Sequence, residues 1–205
     1  MTVFVLVALL GGAGSVWAQP AATAPAPSRA KATGLFLGGA GVAFGAHEAG
    51  HLLFDVQFEA DPGIAKVDFH GIPFFAITHR SGLSPKREFT ISSAGFWVQH
   101  AGSEWLLTRR PDLRRERAPF EKGVLAFNVL TSIGYACAAM AKTGPLERDT
   151  RGIASTTRID EGWVGAMLLA PAVLDAYRYF VPGQRWAVWA SRAAKIGLVL
   201  LVVKA

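Results

Sequence analysis

Between Lys122 and Lys142 the chain runs for 19 residues, Gly123–Ala141, without a charge. Crossing the hydrocarbon core of a bilayer takes about 20 mostly apolar helical residues, so this run sets the fold class to be tested first. Four other stretches come close. Thr33–Ala46 is charge-free and ends at His47-Glu48. Phe89–Ser103 is charge-free but holds Ser92, Ser93, Gln99 and His100. Gly162–Leu174 is broken by Pro171 and continues past Asp175 to Val181, and Trp186–Val203 contains Arg192 and Lys195. Only Gly123–Ala141 has the length and composition without a charged residue. The others qualify if their polar groups face the protein interior. The expected fold is an all-α polytopic membrane protein with four to five transmembrane helices.

Composition agrees with that class. Of 205 residues 51% are hydrophobic and 18% charged, and the mean hydropathy is +0.30, whereas a soluble domain carries about 25% charged residues. A disordered chain, a collagen-like chain and a typical cytosolic enzyme are excluded. The length suits one domain, or one plus a tail. The single cysteine, Cys137, rules out an internal disulfide and a Cys-based metal site. The formal charge of +6, in a chain this apolar, points to loops beside anionic lipid and not to nucleic acid. The basic run Arg109–Arg117 is read in the same way, as a loop obeying the positive-inside rule.

Residues 1–18 read as a signal peptide or an uncleaved anchor. Val3–Leu10 is strongly apolar and Val16-Trp17-Ala18 suits a cleavage site, although no Lys or Arg precedes the apolar core. Residues 19–33 form an Ala/Pro-rich flexible linker, leaving 34–205 as the membrane domain. Within it, Ile64–Phe69 alternates apolar and polar residues. Gly71–Pro73 is a turn signal, and Phe74–Thr78 reads as the returning strand. A small membrane-associated β-hairpin is expected there.

The chemistry lies in His47-Glu48-Ala49-Gly50-His51, an H-E-x-x-H pattern. Positions i and i+4 of a helix share one face, so His47 and His51 can present imidazole nitrogens to one metal ion. Glu48 is offset around the helix and is placed to act on a water as general base, the arrangement of zinc hydrolases. Three ionisable groups at the end of an apolar helix are costly unless paired or metal-bound. The preceding glycines Gly34, Gly38, Gly39, Gly41 and Gly45 suit close helix packing. The third ligand is not supplied by the extended pattern H-E-x-x-H-x-x-G-x-x-H, because Phe54 and Gln57 occupy its Gly and His positions.

An H-E-x-x-H in an apolar helix followed by a membrane-associated hairpin resembles the site-2 protease family of intramembrane zinc metalloproteases. Thr90–Phe96 is similar to that family's Ala-Gly-Pro entry into the next span, with Phe96 in place of Pro. The family takes its third ligand from a Leu-Asp-Gly motif. The nearest match here is Gly144–Ile153, where Asp149 stands after a Gly-Pro break, Arg148 replaces Leu and Gly is displaced to Gly152. The resemblance implies Zn2+ held by His47, His51 and Asp149, with Glu48 as catalytic base. It implies hydrolysis of peptide bonds in a membrane-protein or peptide substrate, within or beside the lipid bilayer of a bacterial inner membrane. Asp175, Asp160, Glu161 and His100 compete with Asp149 for the third position. Asp175 has the alternative of pairing with Arg178 at i+3. Asn128, in the cleanest span, is read as an interhelical hydrogen-bonder. The alternative function is a non-catalytic metal-binding membrane protein with a protease-like fold, for which an intact Glu48 would be superfluous.

Overall fold

The structure, a computed structural model, describes residues 27–69 and 72–205; the expected signal peptide or anchor at 1–18 lies outside the described residues. Six α-helices and one hairpin follow in the order α1 (Arg29–Gln57), β1 (Gly63–Phe69), β2 (Ile72–Thr78), α2 (Pro85–Arg109), α3 (Pro119–Ala141), α4 (Asp149–Thr157), α5 (Glu161–Phe180) and α6 (Arg185–Leu200), closed by a 3-10 turn at Leu201–Val203.

Local chemistry accounts for the boundaries. The Ser28 hydroxyl caps α1 by accepting from the Lys31 N–H at 3.3 Å, so the helix starts inside the stretch expected as linker. Pro85 and Pro119 sit in the first turns of α2 and α3, where their missing N–H has no intrahelical partner to lose. The last turn of α3 ends on Lys142 in the left-handed region, followed by Gly144 at φ 97°. Asp160 caps α5 by accepting from the Gly162 N–H at 2.9 Å.

Two expectations about turns and breaks need correction. The strands pair antiparallel from Gly63↔Thr78 to Phe69↔Ile72. The connection is therefore at 70–71, outside the described residues, and Pro73 lies within β2. Both strands of a two-stranded sheet are edges, where a missing N–H is tolerated. Pro171 does not break its helix either: α5 runs through it, giving up one backbone hydrogen bond.

The helix directions follow from contacts. A Cβ on Gly39 would run into the Phe120 carbonyl, and one on Gly123 into the Phe36 carbonyl. The backbones of α1 and α3 therefore touch, and Phe44 against Phe127 and His47 against Tyr135 further along show that they run parallel. Helix α2 returns antiparallel to α3, with Phe96 against Tyr135 near one end and Leu106 and Leu107 against Leu125 near the other. Helix α5 also opposes α3, Gly165 meeting Ala136, and α6 opposes α5. One end of the bundle thus carries the hairpin and the 142–160 segment. The other carries the start of α1 and the 110–118 loop.

Polar side chains are buried between the helices beside an apolar core, and large apolar side chains stand on the surface. Gln99, Ser103, Asn128, Ser132, Asp175 and Lys195 are buried, whereas Leu37, Leu53, Leu130 and Val173 are exposed. The two charges expected to disfavour the last run are accounted for. Lys195 donates to Asp175 at 2.8 Å and to Glu104 at 3.0 Å, and Arg192 donates to Glu104 at 2.7 Å. Among the described residues two helices are long and apolar enough to cross a membrane, Pro119–Ala141 and Arg185–Val203, with mean hydropathies of 1.7 and 1.6.

Candidate metal centre

The H-E-x-x-H motif lies inside α1, ending six residues before its last residue, Gln57, at the level where α2 and α3 pack against it. His47 and His51 are buried on one face, as the i, i+4 spacing requires. Their Nε2 atoms are 3.1 Å apart, and the Oδ2 of Asp149, the first residue of α4, lies 3.5 Å from each. These three side chains form a metal-competent group among the described residues. Donors at about 2.0–2.1 Å from a tetrahedral zinc stand about 3.3–3.4 Å apart, so the triangle has the edge lengths such an ion requires.

Hydrogen bonding orients the donors. The Nδ1–H of His51 donates to the Ile91 carbonyl at 2.7 Å. A carbonyl can only accept, so this bond fixes a proton on Nδ1 and leaves Nε2 as the nitrogen that faces the cluster, as outer partners of metal-binding imidazoles do. Asp149 Oδ2 is buried without a hydrogen-bond partner, a state that buried carboxylates avoid unless a cation or proton is near. The Tyr135 side chain stands beside the same carboxyl group in the cavity wall. Burial would raise the Asp149 pKa, but the imidazoles of His51 and His47 outweigh it and hold the carboxyl well below its ordinary value. It is therefore anionic.

The wall behind the imidazoles is Gly95. A Cβ there would stand 2.5 Å from His51 Nε2 and 2.6 Å from His47 Nδ1, so only glycine lets α2 approach the pair. On the open side, Glu48 joins the triad in lining a cavity of about 590 Å³ whose other walls include Phe44, Phe75, Ile77, Phe127 and Leu146. That volume is within the range of ligand-binding pockets.

The competitors for the third position lie elsewhere. Asp175 is buried in an ion-pair network with Arg178 and Lys195 and accepts from Ser191 at 2.6 Å. Asp160 pairs with Lys142 at 2.7 Å. Glu161 receives both forks of Arg148, at 2.6 and 2.7 Å, and the Thr150 hydroxyl at 2.8 Å. His100 is buried on α2 and is not part of the triad. Asn128 bridges helices, donating to the Gln99 carbonyl at 3.0 Å and to Ser103 at 3.1 Å.

Several contributors were not singled out from sequence. Arg148, where the resemblance expects Leu, also donates to the Pro145 carbonyl at 2.9 Å and so fixes the loop leading into Asp149. Asp55 and Glu88 flank His79, at 3.5 and 2.8 Å, and pin the end of the hairpin over the cavity. Asp55 stands at i+4 from His51, a periodic signal that points to the same helix face. Tyr135 and Gly95 leave no comparable trace. No protein family, curated protein or solved structure matches this chain.

Proposed function

We propose that the chain is a zinc-dependent peptidase of a multi-pass membrane protein, hydrolysing peptide bonds within or beside the bilayer of a bacterial inner membrane. The observation that carries this reading is the donor triangle of His47, His51 and Asp149 on the wall of a cavity that Glu48 also lines. The resemblance of residues 34–153 to site-2 proteases supports it, as do the polar groups buried between helices and the large apolar side chains exposed on the outside.

Each residue has a role it can fill. His47, His51 and Asp149 would hold the ion, and Tyr135 and the Ile91 carbonyl orient two of them. When bound, zinc supplies a lowered pKa for a water molecule and a polarising charge for a substrate carbonyl. Glu48 takes the proton of the attacking water and delivers it to the departing amine, so the carboxylate ends the cycle as it began. The apolar walls hold the side chains of an extended segment. A non-catalytic metal-binding role would make no use of Glu48.

The test is Glu48→Gln, assayed on a pool of labelled single-span peptides in detergent micelles with cleavage read by mass spectrometry. Loss of the wild-type products at unchanged metal content is the expected result. Full cleavage by Glu48→Gln contradicts the mechanism.

A further inference from the structure

The end of the bundle away from the cavity carries a concentration of charge that the proposed reaction does not use. Segments 29–31 and 109–122, with Arg185, bring nine Lys or Arg together with three Asp or Glu. At the cavity end, 58–88 and 142–161 each hold four of either sign. The chain's excess of positive charge is thus concentrated at one end.

The folding of the 110–118 loop turns its arginines outward. Leu113 is fully buried against Leu106, Leu107 and Leu125, and Arg114 donates to the Phe180 carbonyl at 3.2 Å. With the loop so anchored, Arg115 and Arg117 are exposed, as is Arg185 at the start of α6. None of the three forms an ion pair among the described residues. Around them stand exposed Trp105, Trp186 and Trp189. The Arg109 guanidinium lies over the Trp105 ring at 5.8 Å and that of Arg192 over Trp189 at 5.4 Å. Tryptophan seats at the headgroup level of a bilayer, and arginine offers paired donors to phosphate.

We infer that this end is a collar that binds anionic phospholipid headgroups, with the tryptophans at the acyl boundary and the unpaired arginines on the phosphates. The inference rests on the membrane reading given above. Charge complementarity selects the occupant: a neutral zwitterionic headgroup does not offset the local positive excess, whereas a phosphatidylglycerol surface does.

The full-length protein is reconstituted in vesicles of dibrominated phosphatidylglycerol or dibrominated phosphatidylcholine, and relative lipid affinity is read from quenching of tryptophan fluorescence. The wild type should favour phosphatidylglycerol by about tenfold, a preference lost in about 1 M salt. The triple variant Arg115→Gln, Arg117→Gln, Arg185→Gln should bring the ratio near one. The cavity-end triple Lys66→Gln, Lys86→Gln, Arg151→Gln should leave it unchanged. Equal quenching by both lipids in the wild type, or an equal loss in both triples, overturns the collar while leaving the membrane reading in place. Absence of quenching by either lipid overturns the membrane reading itself.

Discussion

The Nε2 of His51, in the middle of the bundle, lies 3.5 Å from the Oδ2 of Asp149 at the first residue of α4. The two are brought together by separate devices. His51 is fixed by α1 and the Ile91 carbonyl. Asp149 is fixed by the Arg148–Glu161 fork on one side and Tyr135 on the other. Disturbing either device should weaken the proposed metal binding without changing His47, His51 or Asp149.

Gly95→Ala is the sharpest such disturbance. The added methyl meets both imidazoles, so one helix must shift. Overpacking of this kind costs about 1–3 kcal/mol. The expected outcome is a lowered melting temperature together with loss of bound metal, read by calorimetry and elemental analysis. Retained metal at full occupancy would show that the α1–α2 contact is looser than described.

The buried charges far from the cavity should behave in the opposite way. Glu104 accepts from Arg178, Arg192 and Lys195, and removing one partner of such a network leaves buried charge uncompensated, at about 3–5 kcal/mol. Glu104→Ala should therefore destabilise the bundle. Whatever fraction remains folded should bind metal as the wild type does. Metal loss in that folded fraction would tie the network to the site.

The hairpin clasp should open with rising pH. The hydrogen bond from His79 to Glu88 raises the His79 pKa above its ordinary value, outweighing burial, which lowers it. A raised folded pKa contributes stability that is fully present below the unfolded value of about 6.5 and is lost as pH rises through the folded one. Hydrogen exchange of the β2 amides, corrected for intrinsic rate, should accelerate as pH rises above the ordinary histidine value of about 6.5. Glu88→Gln should flatten that profile. An equally steep profile in the variant would remove the clasp from the account.

Glu48→Gln should reduce peptide hydrolysis by roughly 10²–10⁴-fold, the range contributed by a positioned acid–base group. Unaltered metal content in the same sample separates loss of the base from loss of the ion.

What was legible in the sequence follows from periodicity. The charge-free run at 123–141 falls within α3, and alternation at 64–69 falls within β1. The i, i+4 spacing of His47 and His51 places both on one buried face. Periodicity is silent on partners distant in the chain. Arg148–Glu161, Tyr135–Asp149 and the Glu104 network join different elements, and each residue alone reads as an ordinary polar position. Lys195 looked like an obstacle to a span because its two carboxylate partners lie on α5 and α2. Pro171 looked like a break because local propensity counts the lost hydrogen bond but not the packing that carries α5 through it. Helix α4 was hidden in a segment with no long apolar pattern.

Metal content bears most directly on the centre. The full-length protein, purified in detergent and dialysed against trace zinc, is analysed for metal per chain beside His47→Ala, His51→Ala, Asp149→Asn and Asp175→Asn. The account predicts one zinc per wild-type chain, loss of zinc in the first three variants, and full zinc in the folded fraction of Asp175→Asn. Zinc retained by Asp149→Asn, or no zinc in the wild type, would contradict it.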